Sequence, residues 1–443
     1  MTENAQRGGP SWTYTQDFYT MALAGTCLKV FTDEMKGKGL CATRAIAADD
    51  VVHEETALCC SQNMDDYNIG VQVCAFCLKS LETPRTQVAR NAHCRKAALA
   101  LPHHQLHMPE SAVPCLWRET GCTDLFCSAR CREAATQKFH WVSCAGRLTA
   151  EQQAARREFL QYDWVQNGVD FSDTAMVGFR IVAQVLCAHR LHGCSMSEGF
   201  APYAQLIRSP LASFYFSYLL LDNVPTAASS TAEVAAHAAA VKASKSDPMA
   251  IPEVRAAYTV EGRSKAAMCK EGVALLQRLF DMSDEERSYL NASRWSELLG
   301  AVLLNGQDRS PPSPYDLHRD LVACLPDGEA LMKEFEHNVL QTSSLTDAAD
   351  LSHSSRGQGI YGVGCLFNHS CDPNLNVQYA AVNDETLSVV ALRDIAAGEE
   401  LTISYIDTSL PYAVRQQQLL DHYLFECKCP RCRCESSENK LFT

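Results

Sequence analysis

The sequence predicts an α+β fold in which short strands near both ends of the chain enclose a helical middle, with two cysteine-rich segments set into it. Three observations predict it. Strand-like runs broken by Gly turns occupy 28–58 and return after Gly300, helical apolar spacing dominates 150–300, and Cys pairs at metal-ligand intervals gather at 74–144 and 371–432.

The strands come first. Leu28–Phe31 and Leu40–Ile46 flank the turn Lys36-Gly-Lys-Gly39, where Gly permits positive φ or close backbone approach to a ligand. Ala175–His192 and Ala266–Phe280 carry helical apolar spacing, and between them the Ala/Ser-rich stretch 226–247 reads as an exposed helix or a partly ordered insertion. After Gly300 strands are expected again, chiefly Leu387–Leu392 and Leu401–Tyr405 around the turn at Ala397-Gly-Glu399. A last helix, Pro411–Tyr423, opens with Pro in its first turn.

Composition narrows the function. The chain has 443 residues, 47% hydrophobic, with 39 basic and 52 acidic side chains and a net charge of −13. That balance argues against wrapping nucleic acid phosphates and suits attraction of basic peptides. No run approaches the roughly 20 apolar residues that span a bilayer, so neither direct nucleic acid binding nor membrane association is expected. There are 22 cysteines, yet Met1–Pro10 is polar and lacks the apolar core of a signal peptide. An intracellular setting, cytoplasm and/or nucleus, is expected, and there paired Cys are metal ligands rather than disulfides.

The first cluster reads Cys74-x2-Cys77, Cys115-x6-Cys122, Cys127-x3-Cys131 and His140-x3-Cys144. Zinc takes four tetrahedral N or S ligands, so eight ligands make two sites. Ser128 is placed to cap a helix Ala129–His140, with Cys131 in its first turn and His140 at its far end. The wide Cys115-x6-Cys122 interval leaves Cys94, His93 and His103 as alternatives to Cys115. The second cluster, Cys427-x-Cys429-x2-Cys432, offers three thiolates, and Cys371 is the candidate fourth. About three zinc ions are therefore expected.

Cys371 lies in Gly364-Cys-Leu-Phe-Asn-His-Ser-Cys-Asp-Pro-Asn374, followed by Gly398-Glu-Glu-Leu-Thr-Ile-Ser-Tyr-Ile-Asp407 and Tyr423-Leu-Phe-Glu-Cys-Lys-Cys-Pro-Arg-Cys432. These strings, in this order, resemble SET-domain lysine methyltransferases. The first cysteine cluster resembles a MYND zinc finger, whose sites interleave: Cys74, Cys77, Cys127 and Cys131 in one, Cys115, Cys122, His140 and Cys144 in the other. Its insertion after the Lys-Gly-Lys-Gly turn narrows the resemblance to the SET-and-MYND (SMYD) family of protein-lysine methyltransferases. Val73–Glu82, Leu101–Leu106, Phe126–Ala135 and Asn305-Gly-Gln307 are most similar to that family's divergent fifth branch.

The resemblance implies a leader and flank (1–27), the first part of the SET domain (28–73), a MYND-type zinc finger (74–144) and a helical SET insert (145–294). The SET core (295–410), a post-SET segment (411–434) and a tail (435–443) follow. It implies S-adenosylmethionine as methyl donor and a lysine-bearing protein as substrate, either a histone tail or a non-histone protein such as a ribosomal protein. Asn368 and His369 would bind the cofactor, Lys38 and Gly39 would line its methionine end, and Asn305 would contact it. Tyr405 would orient amine and methyl, while Tyr423 and Phe425 would close the lysine channel and stack near the adenine. The same modules could instead serve as a zinc-dependent interaction adaptor without methyl transfer, since MYND modules resemble binders of proline-rich peptides.

Overall fold

The computed structural model describes residues 17–34, 36–106, 111–166, 169–211, 214, 265–310, 313–379 and 386–441. The leader to residue 16 and the Ala/Ser-rich stretch 226–247 lie outside the described residues.

Among the described residues, ten of the fourteen strands form three small sheets. In the first, β1 (Leu28–Asp33) and β2 (Gly37–Ala42) make an antiparallel hairpin that pairs Phe31 with Gly39 and Thr32 with Lys38. Gly37 turns the chain at φ +75°, so Lys38 and Gly39 already lie in strand β2 and not in the turn expected for them. The second sheet joins β4 (Cys59–Gln62) and β5 (Gly306–Arg309) to either side of β6 (Gly357–Ile360). β7 (Asn368–His369) returns to the first sheet, and the third contains β8 (Leu375–Tyr379), β9 (Thr386–Ala391) and β3 (Val51–Thr56). β10 (Glu400–Ile403) lies between β2 and β7, antiparallel to one and parallel to the other.

Alternation drives this arrangement. Along β9, Leu387, Val389 and Ala391 point inward and their neighbours are half-exposed, as a period-two pattern requires. They join Leu28, Leu40, Phe367, Leu401 and Ile403 in one core beneath the β7–β10 pair. Burying each leucine contributes roughly 1.5–3 kcal/mol. β10 stops at Ile403, so Tyr405 lies in the bend beyond the strand that was expected to end in it.

The helical insert packs on the long helix Ser172–His192, which ends where Gly193 takes a left-handed conformation (φ 72°). Trp164, Phe159 and Trp295 fill its flank, and a Cβ on Gly178 would sit 2.8 Å from the Trp295 ring. The helix Ala292–Asn305 straddles the boundary expected at 294 and delivers the chain directly into β5.

Two helices were not expected. Pro314–Ala323 and Gly328–Thr342 replace the strands anticipated after Gly300. They pack Tyr315, Val322, Met332, Phe335 and Val339 against Val88, Ala92, Ala97, Ala98 and Leu101. The latter come from the helices Pro84–Asn91 and Arg95–Leu99 and the residues just after each, inside the segment assigned to the zinc finger. Buried Gln87 bridges the two parts, donating to Leu351 O at 3.0 Å and accepting from Tyr315 N at 3.0 Å. The segment 74–144 is therefore two bodies, a zinc-ligand scaffold and a helical loop-out that belongs to a separate small core. The final helix, Pro430–Leu441, runs through the boundary expected at 434 and includes most of the tail.

Candidate active site and metal clusters

The β7–β10 pairing sets the site. Asn368 lies opposite Thr402 and His369 opposite Ile403, so the chain leaving β10 passes beside His369. The backbone N–H of Tyr405 donates to His369 Nδ1 at 3.0 Å, and the Tyr405 hydroxyl donates to the Phe367 carbonyl at 2.6 Å. Burial pushes the Tyr405 phenol well above its usual range. It pushes the Tyr423 phenol up to about 12 and the His369 imidazole down to about 4. Neutral His369, accepting at Nδ1, carries its proton on Nε2, which lies 3.3 Å from Cys371 Sγ.

The helix Tyr412–Tyr423 ends at Leu424 in a left-handed conformation, which turns the next residues back onto the site. Tyr423 donates to the Tyr405 carbonyl at 3.3 Å, with ring centroids 4.8 Å apart. The Phe425 ring lies 6.1 Å from His369 and edge-on to Tyr405 at 6.4 Å. Tyr405, Tyr423, His369, Asn368 and Phe425 are thus brought together.

Strand β2 adds the opposite wall. A Cβ on Gly39 would meet Asn368 Nδ2 at 2.5 Å, so glycine is what lets the Asn368 amide lie against this strand. That amide donates to Glu400 Oε1 at 3.1 Å, and the Lys36 ammonium pairs with the other Glu400 oxygen. Lys38 is half-buried, its ammonium 5.4 Å over the Tyr19 ring, and burial lowers its pKa. Asn305 behaves differently. Its buried amide donates to the carbonyls of Ile207 (2.6 Å) and Ala301 (2.7 Å) and accepts from Ile207 N. The side chain is committed to bracing that loop.

Among the described residues, three groups of four side chains present their ligand atoms within 4.8 Å of one another: Cys74, Cys77, Cys127 and Cys131; Cys115, Cys122, His140 and Cys144; Cys371, Cys427, Cys429 and Cys432. These are the three expected sets, including Cys115. Its alternative Cys94 packs in the separate helical core. Tetrahedral Zn–S bonds of about 2.3 Å imply S···S edges of about 3.8 Å. The observed separations are 3.7 Å for Cys77–Cys127, 3.6 Å for Cys115–Cys144 and 3.5 Å for Cys371–Cys432. Zinc fits all three sets. Ser128 accepts from Cys131 N at 3.1 Å and caps the helix as expected, and that helix continues into a π-turn, Thr136–His140. His140 turns Nε2 toward Cys115 and Cys122, while Nδ1 lies 3.5 Å from Asp124, the carboxylate partner that orients a ligating imidazole.

Two charged residues that sequence reasoning missed support the site. The buried Arg415 guanidinium lies against the third cysteine set, with Nε 3.4 Å from Cys371 Sγ and Nη2 3.9 Å from Cys432 Sγ. It also pairs with Glu435. A cation there offsets the surplus negative charge that four thiolates leave on a divalent metal. Glu55 grips the turn before Asn368 by accepting from its backbone amides. Neither sits in a recognisable short motif.

Comparison with known proteins agrees with this geometry. The SET domain family model matches residues 37–406, and the chain belongs to the SET domain family. Within that class it is similar to SET-and-MYND proteins. Mouse protein-lysine N-trimethyltransferase SMYD5 is 26% identical over 430 residues, covering 92% of this chain and 86% of the relative. Mouse histone-lysine N-methyltransferase SMYD3 is 42% identical over 177 residues, covering 33% of this chain and 41% of the relative. A Dictyostelium discoideum SET and MYND domain-containing protein is 49% identical over 88 residues, covering 19% and 16%. The last two matches are local, and in each the chain spans less than half of the relative. Among the described residues no helix is long and apolar enough to cross a membrane.

Proposed function

We propose that this chain is an S-adenosylmethionine-dependent protein-lysine methyltransferase. The observation that carries the reading is the Tyr405 hydroxyl fixed on the Phe367 carbonyl beside Asn368 and His369, under the aromatic cover of Tyr423 and Phe425. When bound, the cofactor supplies a methyl carbon made electrophilic by its sulfonium.

The chain's own residues do the rest by positioning. Asn368 and His369 hold the cofactor by hydrogen bonds, Lys38 and Gly39 line its methionine end, and Phe425 flanks the adenine. Asn305 braces the Ile207 loop through its buried amide. With its proton donated to Phe367, the Tyr405 oxygen keeps lone pairs that accept a hydrogen bond from the incoming amine. Loss of solvent within the aromatic walls disfavours an ammonium ion, so the amine gives its proton to water before its lone pair attacks in line.

The substrate in this reading is a basic segment of a histone or of a non-histone protein such as a ribosomal protein, in keeping with the net charge of −13. A proline-rich partner peptide would dock on the MYND region, and the protein would act in the cytoplasm and/or nucleus. Calorimetric titration with S-adenosylmethionine tests the reading. Saturable one-to-one binding, followed by transfer of labelled methyl to lysine in cell lysate, is expected. A chain that binds no cofactor would be the interaction adaptor instead.

The metal content is a separate expectation. Native mass spectrometry of purified protein should show about three zinc ions per chain, since three tetrads match the tetrahedral spacing. Two ions would mean that one tetrad is vacant, and none would remove zinc from the account.

A further inference from the structure

Gly362, Val363 and Gly364 present three successive backbone N–H groups to one side chain. Glu55 Oε1 accepts from Gly362 N at 2.5 Å and Val363 N at 3.0 Å, and Oε2 accepts from Gly364 N at 2.8 Å. Successive amides in a tight turn make a concavity suited to an anion, and a carboxylate of the protein itself fills this one. Its own position is fixed: it extends from β3, only 14% of its side chain is exposed, and His53 Nε2 lies 3.4 Å away. From β5, the Gln307 amide donates to Gly364 O at 3.1 Å. The turn is therefore gripped by two strands of different sheets.

Three residues beyond Gly364 stands Phe367, whose carbonyl receives the Tyr405 hydroxyl. Asn368 and His369 follow at once. The turn is closed internally by Leu366 N donating to Val363 O at 2.9 Å, so an error at Gly362–Gly364 is passed along a stiff segment and not absorbed. We infer that Glu55 is a positioning residue for methyl transfer: it sets the Phe367 carbonyl and the Asn368-His369 pair by anchoring the amides of the turn that precedes them.

The functional half of this inference rests on the methyltransferase reading, whereas the geometric half stands without it. Glu55→Gln keeps the size but replaces one oxygen with an NH2 group that opposes the turn's N–H donors. Glu55→Asp keeps the charge but falls one methylene short. The neighbouring Glu54→Gln removes the same charge from an exposed position and serves as control.

The experiment is hydrogen exchange on the full chain, with cofactor affinity and kcat measured on the same samples. Glu55→Gln is expected to speed exchange at Gly362–Gly364 and onward through Phe367–His369. It should weaken S-adenosylmethionine binding by about 10-fold or more and lower kcat, as lost charge-assisted bonds imply. Glu55→Asp, the milder change, should show the same pattern more weakly, and Glu54→Gln should match wild type. Unchanged protection at Gly362–Gly364 would overturn the inference. So would faster exchange confined to those residues with wild-type affinity and kcat, since Glu55 would then only brace a loop. If wild type itself binds no cofactor, the methyltransferase reading fails, while spread of exchange into Phe367–His369 still decides what Glu55 holds.

Discussion

Cys429→Ser is expected to abolish S-adenosylmethionine binding and methyl transfer together while the 74–144 zinc region stays folded. The segment that carries Tyr423 and Phe425 has little apolar core. Its cluster is Cys371, Leu419, Cys427 and Cys432, with Tyr405, Tyr423 and Phe425 only partly buried against it. Three of the four buried members are cysteines. A structural zinc contributes roughly 10–16 kcal/mol in small peptides, far more than a single buried leucine. Without it, Phe425 has no reason to stay 6.1 Å from His369, and Cys371, three residues after Asn368, loses its tether. His140→Ala provides the contrast. It removes a ligand from the second tetrad, remote in sequence from Tyr405, and should leave measurable transfer to a minimal peptide. The measurement is cofactor affinity and peptide turnover for both variants side by side. A Cys429→Ser chain with wild-type affinity, or an equally inactive His140→Ala, breaks this division of labour.

Tyr405→Phe should lower turnover by at least ~10-fold, equivalent to about 1.4 kcal/mol or more of transition-state stabilisation. The phenyl ring keeps its contacts with Tyr423 and His369, so cofactor affinity and melting temperature should move little. What is lost is the 2.6 Å bond to the Phe367 carbonyl and the oxygen that receives the amine. Unchanged kcat and product would remove Tyr405 from the chemistry. The raised pKa of Tyr405 keeps the phenol protonated across neutral pH. A rate that rises with pH below about 10 is therefore not a titration of Tyr405; loss of the substrate amine's proton is its expected source. The sign for stability is opposite. Burial of neutral Tyr405 and Tyr423 favours the fold fully below the unfolded phenol pKa of about 10. That contribution is withdrawn as pH rises toward their higher folded values.

The metal tetrads were legible because a zinc ligand is a residue type and three of the four half-sites of the first cluster are short intervals, Cys74-x2-Cys77, Cys127-x3-Cys131 and His140-x3-Cys144. Cys115 was the weak point, since an x6 interval carries no local turn signature. The aromatic and Asn-His positions were legible as strings, yet their contacts with β2 were not. That Gly39 makes room for Asn368, as it does for the nearby Phe31 ring, is a relation across 329 residues, visible only as a Cβ with nowhere to go. Glu55 was missed for the same reason, because its partners lie more than 300 residues away and are backbone amides, which leave no trace in side-chain identity. The helices Pro314–Ala323 and Gly328–Thr342 did leave a signal. Ser313 caps a helix with Pro in its first turn, and Tyr315 and Val322 are spaced to share a face, as are Met332, Phe335 and Val339. The expectation of strands after Gly300 passed over it.

The small core shared by 84–101 and 315–351 also bears on biosynthesis. A ribosome adding roughly 5–20 residues per second takes on the order of 10–40 s to travel from Leu101 to Tyr315. During that interval the ligands of the first two tetrads, all within 74–144, are available to close, whereas the apolar faces of Val88, Ala92, Ala98 and Leu101 have no cover. A nascent chain thus carries a finished metal scaffold with a sticky loop projecting from it. Such a chain calls for chaperone shelter midway through translation, well before its catalytic residues have been synthesised.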